Sequence, residues 1–152
     1  GPLRESLSAL KRADCVMING KKNQDIQNKI FSENDKIKIF YLSYKPQNIE
    51  KLRNKKIIAF AGIGNPENFF DLLIENELNI IETIKFPDHY KYSENEIEKL
   101  LNKMKEKDCI LLTTEKDYFR MSESNKKNIN YLKINIDIEN KDQFVEMIKK
   151  II

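Results

Sequence analysis

Ile57-Ile58-Ala59-Phe60-Ala61-Gly62-Ile63-Gly64-Asn65-Pro66-Glu67 decides how this chain folds. Its first five residues are all apolar and do not alternate with polar ones. Neither face of such a segment suits water, so the run predicts a strand covered on both sides. The glycines then allow a sharp turn or a close backbone approach. Asn65 suits a helix N-cap, and Pro66 suits the first helical position, where a missing N–H costs nothing. A buried strand turning straight into a helix is the opening of a strand–helix–strand unit.

Working outward, the same alternation continues. A helix over 66–75 is followed by a strand from Ile80 to Phe86. Ser93 to Lys105 reads as an amphipathic helix with Ile97, Leu100, Leu101 and Met104 on one face, opened by a Ser93–Glu96 capping box. Further strands are expected at Cys109–Leu112 and Tyr131–Ile136. A short helix is expected from Glu115 to Met121, and a closing one over Lys141–Ile151. Upstream, a short helix from Glu5 to Arg12 precedes a strand from Asp14 to Ile18 and a turn at Asn19-Gly20. Lys36 to Tyr44 reads as extended, and Pro46 ends it. Residues 45–56 are polar without apolar periodicity, which marks a boundary. The expected class is therefore α/β, a mostly parallel Rossmann-like sheet with helices on both faces. The expected units are 1–46 and 47–152.

Composition narrows the function. The chain has 152 residues, 40% of them hydrophobic, enough for one sizeable core. Its 27 Lys and Arg against 24 Asp and Glu leave a net charge of +3 with no basic block, which argues against a nucleic-acid binder. Cys15 and Cys109 lie far apart in apolar runs and are expected to be buried free thiols in a reducing compartment. No apolar segment approaches a membrane span, and no signal peptide opens the sequence, so any membrane contact is expected to be peripheral or made outside this chain.

In sheets of this class, ligands gather where strands end and helices begin. Three such loops carry chemistry. The Gly62–Pro66 turn suggests a nucleotide loop, but it lacks a third glycine and an acidic residue after the next strand. A capped strand-to-helix turn accounts for it better, and a turn lining a cleft shared with another domain stands between the two readings. At Phe86-Pro87-Asp88-His89-Tyr90, the only histidine projects from a strand end beside a carboxylate that could orient its ring. An exposed bystander beside a turn-stabilising Asp88 remains the alternative. In Thr113-Thr114-Glu115-Lys116-Asp117, Thr114 caps the following helix, Asp117 closes the box, and Lys116 is placed to pair with a carboxylate. No phosphate loop of the Gly-x-x-x-x-Gly-Lys-Ser/Thr type, no nucleophile elbow and no metal-spaced cluster is present. A stand-alone nucleotide-binding module and a non-catalytic interaction domain are thus both open on residues alone.

Four stretches in order change the balance: Gly1-Pro2-Leu3-Arg4-Glu5, Phe60–Pro66 with Phe69-Phe70, Phe86-Pro87-Asp88-His89, and Thr113–Asp117. Together they resemble the C-terminal part of the tetraacyldisaccharide 4′-kinases of lipid A biosynthesis. The resemblance implies a two-domain kinase of the P-loop group. Such a kinase uses ATP and Mg²⁺ to phosphorylate the 4′-hydroxyl of a tetraacylated glucosamine disaccharide, the lipid A precursor, at the inner face of the bacterial inner membrane. It implies that the phosphate loop, the metal-binding acids, the catalytic aspartate and the membrane anchor belong to an N-terminal P-loop domain outside this chain. The chain alone is then expected to be inactive and to bind no cofactor. Carried over by position, His89 falls on the family's cleft histidine, which pairs with that aspartate, and Asp88 orients it. Arg4 and Glu5 fall on a pair lining the nucleotide side, and Gly62, Gly64 and Asn65 on a turn facing the same cleft. Ser6 stands where a proline is usual, and Tyr90 where a small or polar residue often follows the histidine.

Overall fold

A computed structural model describes residues 5–152. After a 3₁₀ turn at Leu7–Arg12 come β1 (Cys15–Asn19), α1 (Gln24–Glu33), β2 (Lys38–Pro46), β3 (Ile57–Ala61), α2 (Pro66–Glu75) and β4 (Ile80–Lys85). They are followed by α3 (Glu94–Lys107), β5 (Ile110–Thr114), α4 (Glu115–Arg120), α5 (Glu123–Lys126), β6 (Ile129–Leu132), β7 (Ile134–Ile138) and α6 (Lys141–Ile151). These divide into two compact units, one of residues up to Lys45 with Asn135–Ile152, the other of Pro46–Ile134.

The second unit is the α/β layer expected around β3. Its sheet has the order β4-β3-β5-β6, with every neighbouring pair parallel. All five β3 residues are buried, and they alternate between two cores. Ile57, Ala59 and Ala61 join Phe69, Phe70 and Leu73 of α2, whereas Ile58 and Phe60 join Ile97 and Leu100 of α3. Each fully buried Ile or Phe contributes about 1.5–3 kcal/mol relative to exposure, so the unalternating run is what holds helices on both faces. The edge strand β4 alternates half-buried and exposed residues. From β3 the chain passes through α2 to β4 on one side, then through α3 to β5 on the other. The carboxyl ends of β3 and β5 therefore flank a topological switch point, the place where such sheets bind ligands.

Three local features follow from sequence. Ser93 accepts the Glu96 amide while the Glu96 carboxylate accepts the Ser93 amide at 2.9 Å, so the capping box forms. Asp108, in the left-handed region at φ 47°, ends α3. Pro66 opens α2 from Asn65, although the Asn65 side chain makes no capping bond.

The first unit holds a three-stranded sheet of order β1-β2-β7, with β1 and β2 parallel. Glu139 N–H donates to Tyr41 C=O and Lys45 pairs with Asp137, so partner numbers fall along β7 as they rise along β2, and the two strands run antiparallel. Phe144 of α6 meets Phe40 of β2 edge to face at 5.2 Å. Asn23 caps α1 by accepting the Ile26 amide at 3.1 Å.

Three expectations differ from this arrangement. Residues 47–152 do not form an unbroken unit, because β7 pairs with β2 and takes Asn135–Ile152 with it. The single strand expected over Tyr131–Ile136 is two strands in different sheets, parted at Lys133. Cys15 and Cys109 are free but only half-buried, each with its thiol pKa pushed up chiefly by that partial burial.

Candidate active site

The carboxyl ends of β3, β4 and β5 bring Gly62, Asp88, His89, Thr114 and Asp117 together within the second unit. The Asp117 side chain has no exposed surface. Its Oδ2 accepts the Gly62 amide at 2.9 Å and the Thr114 hydroxyl at 2.8 Å, while its own amide donates to Thr114 Oγ1 at 3.1 Å. The expected capping box is therefore modified. Thr114 caps α4, but the carboxylate reaches across to the β3 turn instead of back to the Thr114 amide. Asp117 Oδ1 pairs with Arg120, three residues on.

Arg120 was not among the residues expected to form the site. Its Nη2 also donates to the Gly62 carbonyl at 2.9 Å, and its Nη1 stands 3.3 Å from His89 Nδ1. The signal available in sequence is only its position one helical turn after Asp117. Nothing local announces that its other contacts lie 58 and 31 residues away.

His89 has φ 57°, a left-handed conformation that histidine tolerates better than most residues. Its amide donates to the Gly62 carbonyl at 3.1 Å and to Asp88 Oδ1 at 2.9 Å. Asp88 Oδ2 lies 3.7 Å from His89 Nε2, so the carboxylate does stand beside the ring. Beyond His89 the chain is pinned by aromatic packing. The Tyr90 ring lies 5.0 Å from Phe86, and Tyr92 lies 5.6 Å from the buried Phe60. Tyr90 donates its hydroxyl to Glu96, which raises the tyrosine pKa and, with Ser93, lowers that of the carboxylate. Burial first, and the Asp117 charge second, push the Tyr92 pKa far upward. A cavity of about 670 Å³ opens beside His89, lined among others by Tyr90, Tyr92, Arg120, Ser122 and Asn125.

Gly62 is the hinge of this arrangement. A Cβ there would stand 3.0 Å from Tyr90 Cβ and 3.2 Å from the Pro87 carbonyl, so the turn and the His89 loop approach each other only because the side chain is missing. Its amide and carbonyl are both engaged. The exposed Gly64 and Asn65 are the open part of the turn, leading to the uncapped first amides of α2, although Gly64 faces Asp88. Glu5 belongs to the first unit, where it pairs with Arg12. Arg4, and the Gly1-Pro2-Leu3 stretch before it, lie outside the described residues. Lys116 is exposed, with no ion pair among the described residues. Among those residues no group of three or more His, Cys, Asp or Glu is arranged to hold a metal ion.

The family model described as LpxK, tetraacyldisaccharide-1-P 4′-kinase, matches residues 1–152. A tetraacyldisaccharide 4′-kinase from Pelagibacter ubique is 33% identical over 99% of the chain and 49% of its own length. One from Rickettsia typhi is 37% identical over 99% of the chain and 46% of its own length. Among solved structures, LpxK from Aquifex aeolicus in complex with ATP superimposes with a TM-score of 0.60 at 23% identity, covering 98% of the chain and 46% of that structure. That likeness is one of fold. The chain spans about half the length of the curated relatives it matches.

Proposed function

Because the chain belongs to the tetraacyldisaccharide-1-P 4′-kinase family, we propose that it is the C-terminal part of a kinase that moves the ATP γ-phosphate to the 4′-hydroxyl of a tetraacylated glucosamine disaccharide. The observation that carries this reading is the placement of His89. It is tethered in a left-handed conformation at the switch point of the sheet, beside Asp88 and open to the adjoining cavity.

In this reading the histidine serves a base it does not itself provide. An N-terminal P-loop domain would hold ATP and Mg²⁺ and present the aspartate that takes the proton from the attacking hydroxyl. His89 would share or relay that proton, and Asp88 would keep the ring turned toward it. The bound nucleotide and metal supply the phosphoryl group and neutralise its charge. The residues of this chain contribute the proton path and the wall around it. Gly64 and Asn65 would line the nucleotide side with the first amides of α2, since helix N-termini favour phosphate. By the family resemblance, Arg4 and Glu5 would also fall on the nucleotide side in the complete kinase. By the same resemblance the chain is expected to be inactive by itself. Among the described residues no helix is long and apolar enough to cross a membrane. By the family resemblance, contact with the cytoplasmic face of the inner membrane would be peripheral and made through the N-terminal part.

The test is phosphoryl transfer by the complete kinase. His89→Ala is expected to lower the rate by roughly 10²- to 10⁴-fold, the range of acid–base groups, with ATP binding little changed. Wild-type turnover in that variant would remove His89 from the mechanism.

A further inference from the structure

The Thr113–Asp117 stretch has no part in the proton path described above, yet it ends on the most deeply buried carboxylate near the site. That carboxylate holds Arg120, whose guanidinium then touches both the Gly62 turn and the His89 loop. Nη2 donates to the Gly62 carbonyl at 2.9 Å, the same oxygen that accepts the His89 amide at 3.1 Å. Nη1 faces His89 Nδ1 at 3.3 Å. A guanidinium can only donate, so an imidazole nitrogen bonded to it must be the acceptor, and the neutral ring then carries its proton on Nε2. The planar fork makes both contacts at once, which a lysine ammonium on a flexible stem does not reproduce.

We infer that Arg120 is a positioning residue: anchored by Asp117, it fixes the tautomer and direction of the His89 ring. Nε2–H is then the edge left to face a partner carboxylate, with Asp88 beside it. The catalytic consequence rests on the role proposed for His89; the hydrogen bond itself does not, and the two are tested separately.

His89 is the only histidine in the sequence, so the ¹⁵N-labelled full chain yields one pair of imidazole nitrogens. In the neutral ring, the wild type should show a protonated Nε2 and an Nδ1 shifted as a hydrogen-bonded acceptor. Arg120→Lys should move the Nδ1 signal to that of an unbonded nitrogen while the backbone amide spectrum stays folded. Unchanged ring signals would overturn the assignment. If Arg120→Lys does not fold, Arg120→Gln is read the same way, and loss of folding in both would make the residue structural and sink the idea. In the complete kinase, Arg120→Lys should lower kcat roughly ten- to a hundred-fold, as small misplacements of reacting groups do, with KM for ATP unchanged. In a His89→Gln background the same change should have no further effect. Equal losses in both backgrounds would show that Arg120 does not act through His89. A kinase indifferent to His89→Ala would overturn the proposed proton path, yet the ring spectra would still decide the Arg120 contact.

Discussion

Asp117 shows how one buried residue can tie two strand-end loops together. Its two oxygens hold the Gly62 amide, the Thr114 hydroxyl and the Arg120 guanidinium, which ties the end of β3 to the start of α4. Asn at this position would keep the shape but lose the charge, and its amide nitrogen would confront one of these donors. Asp117→Asn is therefore expected to lower stability by about 2–3 kcal/mol, the cost of leaving buried polar groups unmatched, read as a shift in the urea midpoint at unchanged slope. A loss below half that range would mean the network is far more compliant than its burial implies. Sequence made Asp117 a helix cap. Its longer reach needed the two loops to be adjacent, and that adjacency comes from the pairing of β3 with β5.

At the level of elements, the two ends of α3 are fixed by different means, one within the helix and one to the sheet. Its start is fixed by Ser93 and Glu96 within one turn. Toward its end, Lys103 and Lys107 lie four residues apart and both pair with Glu82 on β4. The bond from Lys103 first, and that from Lys107 second, hold the Glu82 pKa below its ordinary value of 4.5. A carboxylate depressed in the folded state adds stability that is present above its unfolded value and lost as pH falls through the folded one. Glu67, lowered mainly by Lys85, and Glu96, lowered mainly by Tyr90, act in the same direction. Stability should therefore decline as pH falls below about 4.5, the ordinary carboxylate range, and Glu82→Gln should flatten that decline. An identical acid profile in the variant, measured by denaturant midpoints across pH 3 to 6 at low salt, would exclude Glu82 as a contributor. The helix itself was readable from sequence because its period and its cap are local. The partners of its lysines were not, since they depend on how β4 lies beneath it.

Over the whole molecule, the decisive event is the change of sheet at Lys133. Asn48 brackets that residue: its amide nitrogen donates to the Tyr131 carbonyl at 2.8 Å, and its oxygen accepts the Lys133 amide at 3.0 Å. Asn48→Ala should remove both bonds and cost about 1–2 kcal/mol, with faster amide exchange at Lys133 as the local sign. Protection at Lys133 equal to wild type would show that the crossing is held by something else. Tyr131–Ile136 reads as one strand because periodicity reports burial and not the identity of the neighbouring strand. By itself, the sequence determined the α/β class, the central strand at Ile57–Ala61, the helices over 66–75 and 141–151, and the strand-end loops that carry His89, Thr114 and Asp117. All of these rest on local pattern, capping or motif order. Tertiary structure alone decided that the last 18 residues return to the first unit and that Asp117 reaches Gly62. It also decided that Arg120 stands against His89. Those contacts join positions tens of residues apart, and strand order, which no local period encodes, sets the distance between them.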